Sequence, residues 1–198
     1  MARDMSPVLK RCRSLGIEPQ YLGIDKKSNR NPQRRNRKIS EYGLQLREKQ
    51  KAKFIYGVLE KPFRNYFDKA SKLKQGTTGE NLVISLELRL DNVVFRLGFG
   101  RTRKEARQIV DHKHVSVNGN TVNIPSYAVK EGDVIEIREK YKSAQRYKDV
   151  IEVTEGRIVP EWLESDLENM KGVIKERPSR EMIDLPVDEV LIVELYSK

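Results

Sequence analysis

The segment LDNVVFRLGFGRTRKEARQIV, residues 90–110, constrains the fold more than any other part of the chain. Its first apolar residues have the i, i+3, i+4, i+7 spacing of a buried helical stripe: Leu90, Val93, Val94 and Leu97. Gly98 and Gly100 interrupt that pattern, and Thr102 with Glu105 has the spacing of a capping box that begins a second helix. The segment therefore predicts two short amphipathic helices joined by a tight turn.

Two ligand-binding interpretations of this region fail on residue types. A dinucleotide-binding loop has three glycines in a G-x-G-x-x-G pattern directly after a strand, whereas here a helix is predicted before the glycines and the third glycine is missing. A Walker loop needs Gly-Lys-Ser/Thr at the start of the helix, which is also missing. Gly98 and Gly100 are therefore interpreted as helix-ending residues. His112 and His114 are the only histidines, and Cys12 is the only cysteine. Because metal sites need three or four ligands, we expect neither a metal nor any other cofactor. The histidines are instead candidates to hydrogen-bond a phosphate at the helix end.

The residues that follow predict a small antiparallel sheet. The segment VSVNGNTVNI, residues 115–124, alternates apolar and polar residues around Asn118-Gly119, which is a strong hairpin signal. Residues 129–139 add another strand, and we expect residues 150–164 to continue the β-rich pattern. The last apolar segment, residues 188–198, has few basic residues, so we interpret it as structural packing.

The region before residue 89 predicts helices. Ser40 is a candidate cap for a helix over residues 41–58, and Thr77 with Glu80 forms a capping box for a helix that ends near Leu88. Residues 41–58 contain two like-charge i, i+4 pairs: Arg47 with Lys51, and Lys49 with Lys53. Such pairs destabilise a helix unless an anion lies across them.

Positive charge is concentrated toward the beginning of the chain, whose formal net charge is +10. Basic and acidic residues number 15 and 5 over residues 1–53, 18 and 12 over 54–150, and 6 and 12 over 151–198. This distribution is typical of a polyanion binder. Residues 25–38, DKKSNRNPQRRNRK, contain no apolar side chain, so we expect an extension that orders on a partner. With one cysteine, no long apolar run and no signal peptide, we expect a cytoplasmic protein without membrane contact.

Four segments resemble the bacterial small-subunit ribosomal protein S-four family. They are SEYGLQLREKQKAKFIYGVLEKPFRNYF, GENLVISLELRLDNVVFRLGFGRTRKEARQIVDHKHVSVNGNTVNIPSYAVKEGDVIEIREK, VPEWLE and LIVELYSK. The likeness runs from about Ser40 to Lys198 and is dense. Residues 89–150 also resemble the RNA-binding domain named after that family, which recurs in RNA-modifying enzymes and some tRNA synthetases.

The resemblance implies an α+β protein of two domains. A mostly helical domain would comprise residues 39–88 and about 184–198, preceded by residues 1–38 as a basic extension ordered on RNA. Residues 89–183 would form an α+β domain that contains the RNA-binding module, about residues 89–150. In that module a two-helix, L-shaped motif would precede antiparallel hairpins and a small sheet.

The resemblance also implies a structural, non-enzymatic constituent of the small ribosomal subunit. The protein would be a primary binder of small-subunit (16S) rRNA that nucleates assembly of the subunit body at a multi-helix junction and contributes to translational accuracy. The implied protein partners are ribosomal protein S-five and other small-subunit proteins near the mRNA entrance. The protein's own mRNA is a further implied partner.

The mechanism we expect is rigid display of cations to folded rRNA, whose A-form grooves are read mainly by shape. Candidate contacts in the RNA-binding module are Arg89, Asn92, Arg96, Arg101, Arg103, Lys104, Arg107, Gln108, His112 and His114. Candidates in the helical domain are Arg47, Lys51, Lys53, Arg64 and Lys72, and those in the extension are Arg34, Arg35, Arg37 and Lys38. Each is also interpretable as a solvated surface charge, and the planar, multi-donor arginines favour phosphate contact more than the lysines do.

Two positions depart from the family pattern. Many members have an N-terminal cysteine cluster for zinc or an iron–sulfur site, whereas this chain has only Cys12, so no metal is expected there. The family commonly has glycine between the paired histidines, where this chain has Lys113. If Lys113 is left-handed, the substitution costs about 1 kcal/mol while adding a positive charge that RNA would attract.

Two other classes of function stay open on the sequence alone. An RNA-modifying enzyme such as a pseudouridine synthase can carry the same module, although residues 1–88 offer no convergent acid, base or nucleophile. Two helices and a turn also imitate a DNA-binding helix-turn-helix. A search for modified bases tests the first class, and competition between duplex DNA and structured rRNA tests the second.

Overall fold

The computed structural model describes residues 6–26 and 39–197. The chain divides into two compact units, one of Met1–Val83 with Leu185–Lys198 and one of Ile84–Asp184. In chain order the helices are α1 (Val8–Leu15), a 3-10 turn (Pro19–Leu22), α2 (Glu41–Tyr56), α3 (Glu60–Ala70), α4 (Thr78–Glu87), α5 (Leu90–Arg96), α6 (Arg103–Asp111), α7 (Glu139–Lys142), α8 (Gln145–Thr154) and α9 (Glu189–Ser197). The strands are β1 (Val115–Val117), β2 (Asn120–Thr121), β3 (Val134–Ile137), β4 (Leu163–Asp166) and β5 (Lys171–Ile174). The predicted α+β class is confirmed.

The first unit is built around helices α2 and α9, which pack against each other. Ser40 Oγ accepts a hydrogen bond from Gly43 N at 3.2 Å, so the predicted cap of α2 is confirmed. Gln45 on α2 is fully buried and donates from Nε2 to Glu194 Oε2 on α9 at 3.0 Å. The last apolar segment therefore packs as the sequence predicted, and it does so as a helix.

Helix α4 begins with the predicted capping box. Glu80 N donates to Thr77 Oγ1 at 3.2 Å, and Thr77 N donates to Glu80 Oε2 at 3.0 Å. The two reciprocal bonds satisfy amide groups that a helix start leaves without intrahelical partners. The helix ends at Glu87, one residue before the predicted end.

The second unit contains a five-stranded antiparallel sheet of order β2-β1-β3-β5-β4. In the β1–β2 hairpin Asn118 has φ 49° and Gly119 has φ 79°, so both turn residues are left-handed as the Asn-Gly signal predicts. A Cβ on Gly172 in β5 would lie 2.5 Å from the Leu97 side chain, so glycine permits the close approach of the chain after α5 to the sheet. The core between sheet and helices includes Phe99, Ile109, Ile135, Ile137, Tyr147 and Trp162.

The expectation that residues 150–164 continue the β pattern was wrong for the first part of that range. Helix α8 extends to Thr154, and β4 begins only at Leu163. Tyr147, Val150 and Thr154 are buried at helical spacing, although β-branched residues in this stretch favour a strand. Burial of one helical face against the core outweighs that local preference.

The described residues contain no helix that is both long and apolar enough to cross a bilayer.

Candidate nucleic-acid interface

The corner between α5 and α6 is held by a guanidinium group that the sequence did not single out. Arg157 donates from Nη1 to Phe95 O at 2.8 Å and to Gly100 O at 3.0 Å, and from Nη2 to Arg101 O at 2.9 Å. These three carbonyl groups lie where the helical hydrogen-bond pattern is interrupted. A single arginine, more than fifty residues along the chain, therefore fixes the angle between the two helices.

The corner glycines are required by backbone geometry. Gly98 has φ 87°, a left-handed conformation that favours glycine after a helix. A Cβ on Gly100 would lie 3.0 Å from Ala106 N, which leaves little room for a side chain where the corner meets α6. The interpretation of this pair as structural punctuation is confirmed.

Of the two hydrogen bonds of the predicted capping box at the start of α6, one is present and the other is replaced by different contacts. Glu105 N donates to Thr102 Oγ1 at 3.2 Å, as a capping box requires. The Glu105 carboxylate instead accepts from Arg101 N at 2.8 Å and from Arg146 Nη2 at 3.2 Å. The helix start is thus tied both to the corner and to α8.

A buried polar network lies between α4, α5 and α6. Glu87 is fully buried and accepts hydrogen bonds from Asn92 Nδ2 at 2.6 Å and from Arg96 Nη2 at 2.8 Å. Asn92 Oδ1 accepts from Arg103 Nε at 2.8 Å, and the Arg103 guanidinium lies 4.3 Å from the Phe95 ring centroid. Because buried polar groups without partners are costly, these contacts allow three charged side chains to support the corner.

A second ion-pair group joins the start of α5 to α6. Arg89 donates to Asp91 from Nε at 3.1 Å and from Nη2 at 2.7 Å, a bidentate arrangement. Arg107 Nη1 lies 3.4 Å from Asp91 Oδ2, the oxygen that also accepts from Arg89 Nη2. Arg107 is therefore oriented by Asp91 while a quarter of its side chain stays exposed.

Arg89 and Asn92, two of the candidate RNA contacts, are buried and do not lie on the surface of the protein. Their exposed fractions are 3% and 2%, and Arg103, also a candidate contact, is 8% exposed. Spacing along α5 separates polar from apolar faces correctly, but it does not reveal that the carboxylates of Glu87 and Asp91 cover the polar face. Arg96 keeps 15% of its side chain exposed.

Helix α6 presents the polar outer face that the sequence predicted. Lys104 and Gln108 are exposed and Arg107 is partly exposed, whereas Ala106, Ile109 and Val110 are buried. Arg101 precedes this face and is partly exposed, and His112 follows it and is exposed. Polar and cationic groups therefore continue along one side of α6 from its start to its end.

Lys113, between the two histidines, has a left-handed backbone with φ 63°. The lysine that replaces the family's usual glycine is therefore strained at this position. Replacing Lys113 with glycine should raise the free energy of unfolding by about 0.5–1 kcal/mol, because glycine adopts this conformation without strain from a Cβ. Chemical denaturation of the full chain measures the change.

Asn118→Gly is the matched control for Lys113→Gly. Asn118 is also left-handed, but its Oδ1 accepts from Val134 N at 2.9 Å and its Nδ2 donates to Asp133 at 2.9 Å. Glycine there removes both hydrogen bonds, so this variant should lose stability. A Lys113→Gly variant no more stable than the parent would contradict the strain argument.

His114 belongs to an aromatic cluster and does not point freely into solvent. Its ring stacks on Tyr141 with centroids 3.8 Å apart and planes 8° apart, and its Nδ1 lies 2.7 Å from the Tyr147 hydroxyl oxygen. Burial, together with the charges of Arg146, His112 and other nearby cations, lowers the pKa of His114. A neutral ring at physiological pH follows from that direction.

In the first unit, part of the predicted cationic face is paired within the protein. Lys49 Nζ and Lys53 Nζ lie 2.9 and 2.7 Å from the Glu60 carboxylate, which also accepts from the Tyr196 hydroxyl at 2.8 Å. Lys51 pairs with Glu48. The anions expected beside the like-charge pairs of α2 are therefore carboxylates of this protein, Glu48 and Glu60.

The remaining candidates of the helical domain differ in their surroundings. Arg47 donates from Nε to Leu15 O at 3.1 Å, whereas Arg64 and Lys72 are exposed. The candidates Arg34, Arg35, Arg37 and Lys38 lie outside the described residues. No group of three or more histidine, cysteine, aspartate and glutamate side chains within residues 6–26 and 39–197 has the geometry to hold a metal.

Glu60 predicts a pH effect on stability. Burial raises the pKa of this carboxyl group, but hydrogen bonds from Lys53, Lys49 and Tyr196 outweigh burial and lower its pKa to about 2. Because the folded pKa lies below that of an unfolded glutamate, the ionised group stabilises the fold above about pH 4–5, and this contribution disappears as pH falls toward 2.

Thermal unfolding of Glu60→Gln against the parent measures this contribution. The parent should have the higher midpoint near neutral pH, and the difference should shrink between about pH 5 and 2. Tyr196→Phe, which removes one donor to the carboxylate, should give a smaller effect with the same pH trend. If the difference in unfolding midpoint between Glu60→Gln and the parent did not vary with pH, the charge of Glu60 would not be the source of its contribution to stability.

Comparison with known proteins gives consistent matches along the chain. A family model described as the ribosomal protein S4/S9 N-terminal domain matches residues 3–87, and one described as the S4 domain matches residues 88–135. The chain is 78% identical to small ribosomal subunit protein uS4 of Lachnoclostridium phytofermentans and 72% identical to that of Lachnospira eligens, each over 198 residues. Identity to the uS4 protein of Fusobacterium nucleatum is 48% over 199 residues. All three comparisons cover the whole of both chains.

Proposed function

The chain belongs to the uS4 family of small ribosomal subunit proteins, and from that membership we propose that it binds small-subunit rRNA through cations on a rigid frame. As a member of this family it is a structural constituent of the small subunit of the cytoplasmic ribosome. The observation that carries the rRNA-binding proposal is the outer face of α6, where Lys104, Arg107 and Gln108 lie side by side. The rest of the helix is fixed by the core and the buried network.

The candidate contacts divide into two roles. Exposed or partly exposed side chains of the module touch phosphates: Arg96, Arg101, Lys104, Arg107, Gln108 and His112. Arg89, Asn92 and Arg103 are buried, and they hold α5 and α6 in position through their contacts with Asp91, Glu87 and Phe95. His114 acts through the orientation of Tyr141. Preformed cations of this kind lose little conformational entropy when RNA binds.

The first unit supplies a second set of contacts. Arg64 and Lys72 are exposed on and after α3. Arg47, Lys51 and Lys53 lie on α2 and are also engaged within the protein by Leu15 O, Glu48 and Glu60. The basic residues of the extension, Arg34, Arg35, Arg37 and Lys38, contribute further cations to the proposed phosphate contacts. The predicted extension over residues 1–38 is folded over its first part, because α1 and the 3-10 turn bury Cys12, Leu15 and Leu22. In this proposal that part belongs with the helical domain of residues 39–88 and about 184–198, and residues 89–183 form the α+β domain.

The proposed site on the rRNA is a multi-helix junction of the 16S molecule, where the phosphates of converging helices lie close together. Binding there early nucleates assembly of the subunit body. Ribosomal protein S-five and other proteins near the mRNA entrance are its neighbours, and the protein contributes to translational accuracy. Its own mRNA is a second RNA partner, recognised if it presents a similar contour of phosphates. The family resemblance supports these points.

Chemical footprinting of purified small-subunit rRNA with and without the full chain tests the proposal. We expect protection that is confined to adjoining helices and is saturable at one protein per rRNA. Protection scattered evenly over the molecule would indicate nonspecific charge attraction and would contradict the proposal. Duplex DNA added as competitor should not remove the footprint at equal phosphate concentration, since B-form geometry differs from the folded RNA surface.

A structural role is favoured over RNA modification. Three carboxylates around the α5–α6 corner are committed to contacts within the protein: Glu87 and Asp91 bind arginines, and Glu105 accepts hydrogen bonds from Arg101 N and Arg146 Nη2. Incubating the protein with rRNA and analysing nucleosides by mass spectrometry should yield no new modification. A modified base that depends on the protein would establish the enzymatic alternative.

A further inference from the structure

A cationic and aromatic cluster lies partly beyond the segment that matches the S4 domain model, which ends at residue 135. We call it the His114–Tyr141 cluster, and it consists of His114 after α6, Arg138 at the N-cap of α7, and Lys140 and Tyr141 within α7. None of its members except His114 was a candidate contact on sequence grounds. The segment REKYK, residues 138–142, contained the signal, because three of its five residues are basic.

The aromatic part of the cluster is anchored in the core. The His114 and Tyr141 rings are nearly parallel, with centroids 3.8 Å apart. Behind them, the Tyr147 side chain is buried and its hydroxyl oxygen lies 2.7 Å from His114 Nδ1. The ring of Tyr141 is therefore held in one orientation and provides a fixed base for the cations beside it.

The two cations are positioned but are not neutralised by the protein. Lys140 Nζ lies 4.7 Å and the Arg138 guanidinium carbon 5.9 Å from the Tyr141 ring centroid. Arg138 Nη1 also donates to Lys113 O at 3.1 Å. Within the described part of the chain, neither Arg138 nor Lys140 has a carboxylate at ion-pair distance, whereas nearby Lys142 and Arg146 pair with Glu139 and Glu105.

The nearby positive charges also affect the pKa of His114. After burial, which is the largest cause, the charges of Arg146, His112, Lys140 and Arg138 all lower the pKa of His114. No carboxylate is among the main causes of the shift. A surface that keeps cations close together without acidic partners is suited to a polyanion.

We propose that the His114–Tyr141 cluster is an additional phosphate-binding surface for folded rRNA, with Arg138 and Lys140 contacting the sugar-phosphate backbone. This inference rests on the proposed function and extends the contact surface from α6 into α7. His114 and Tyr141 are positioning residues: their stack orients Arg138 and Lys140 before RNA arrives. The cation–π contacts restrain both long side chains, which reduces the entropy lost on binding.

The test compares the salt dependence of binding to a small-subunit rRNA transcript for the full chain and for Arg138→Gln with Lys140→Gln. Loss of two phosphate contacts should make the slope of log affinity against log salt shallower by about 1.4–1.8. At physiological salt it should lower affinity about 10- to 30-fold. Thermal unfolding midpoints should match, since both side chains lie outside the core.

Lys171→Gln with Lys175→Gln is the matched control, because it also removes two positive charges from the second unit. Gly172 and Ile174 of β5 are buried, so the alternating Lys171 and Lys175 point to the other side of the sheet. We expect the parent slope and an affinity within twofold of the parent. Equal binding by the Arg138/Lys140 variant and the parent, or an equal loss in the control, would overturn this inference alone. A parent chain that does not bind the transcript would overturn the proposed function as well.

Discussion

Replacing Glu87 with alanine should lower the free energy of unfolding of the second unit by about 3–5 kcal/mol, because it leaves buried polar partners uncompensated. Glu87 is fully buried and accepts from Asn92 and from Arg96. Asn92 in turn accepts from Arg103, so the loss extends across the corner. Urea denaturation followed by tryptophan fluorescence measures this change, since Trp162 is the only tryptophan and is buried in the second unit.

Two variants define what the Glu87 experiment means. Glu164→Ala removes a glutamate with 65% of its side chain exposed and a 3.5 Å contact to Lys175, so stability should change by no more than about 0.5 kcal/mol. Glu87→Gln keeps the size and one carbonyl acceptor, so its loss should lie between those of the two alanine variants. A Glu87→Ala protein as stable as Glu164→Ala would mean that the buried network does not support the corner.

The second large effect is expected on RNA binding. Lys104→Glu with Gln108→Glu changes the charge of the outer face of α6 by three units and introduces repulsion where phosphates are proposed to lie. Affinity for a small-subunit rRNA transcript should fall about 30-fold or more at physiological salt, with the unfolding midpoint little changed. Both residues are exposed, so the change isolates binding from folding. Filter binding at fixed salt measures the affinity.

The control for the α6 variant is Lys171→Glu with Lys175→Gln, which removes the same charge from β5 and its end. If net charge alone attracted the RNA, this control would lose as much affinity as the α6 variant. The account predicts a loss of less than about threefold, because unspecific attraction at a distance is screened within about 8 Å at physiological salt. If both variants lost the same affinity for the RNA, the outer face of α6 would not be a specific contact surface.

The parts of the fold that could be predicted are those set by residues close together in sequence. Capping by Ser40, Thr77 and Thr102 depends on contacts three residues apart, and the turn at Asn118-Gly119 depends on two residues. Helical spacing likewise identified the buried side of α6. Local chemistry determines these features whatever the rest of the chain does.

The parts that could not be predicted depend on distant residues. Glu87, which binds Asn92 and Arg96, precedes them in the sequence by five and nine residues. Arg157, which binds the carbonyl group of Phe95 at the corner, follows Phe95 by 62 residues. Spacing indicates which face of α5 is polar, yet only tertiary structure reveals whether water or a carboxylate covers it. The sequence therefore grouped Arg103 with Lys104 as contacts, although one belongs to the frame and the other to the surface.

The same distinction explains why residues 150–154 were predicted to continue the β pattern although they belong to helix α8. Val150, Ile151 and Val153 are β-branched and favour a strand locally, but burial of Tyr147, Val150 and Thr154 on one side requires a helix. In this part of the chain packing against the α5–α6 corner decides the structure. Thr154 Oγ1 lies 2.8 Å from Gly98 O, at the corner itself.

The most direct test of the account is a salt titration of the full chain binding to a small-subunit rRNA transcript. If fixed cations meet some 8–10 phosphates, the slope of log affinity against log salt should be roughly −6 to −9. The same titration with duplex DNA should give weaker binding at every salt concentration. A slope near zero, or tighter retention on DNA, would contradict the claim that this frame displays its cations to the contour of a folded RNA.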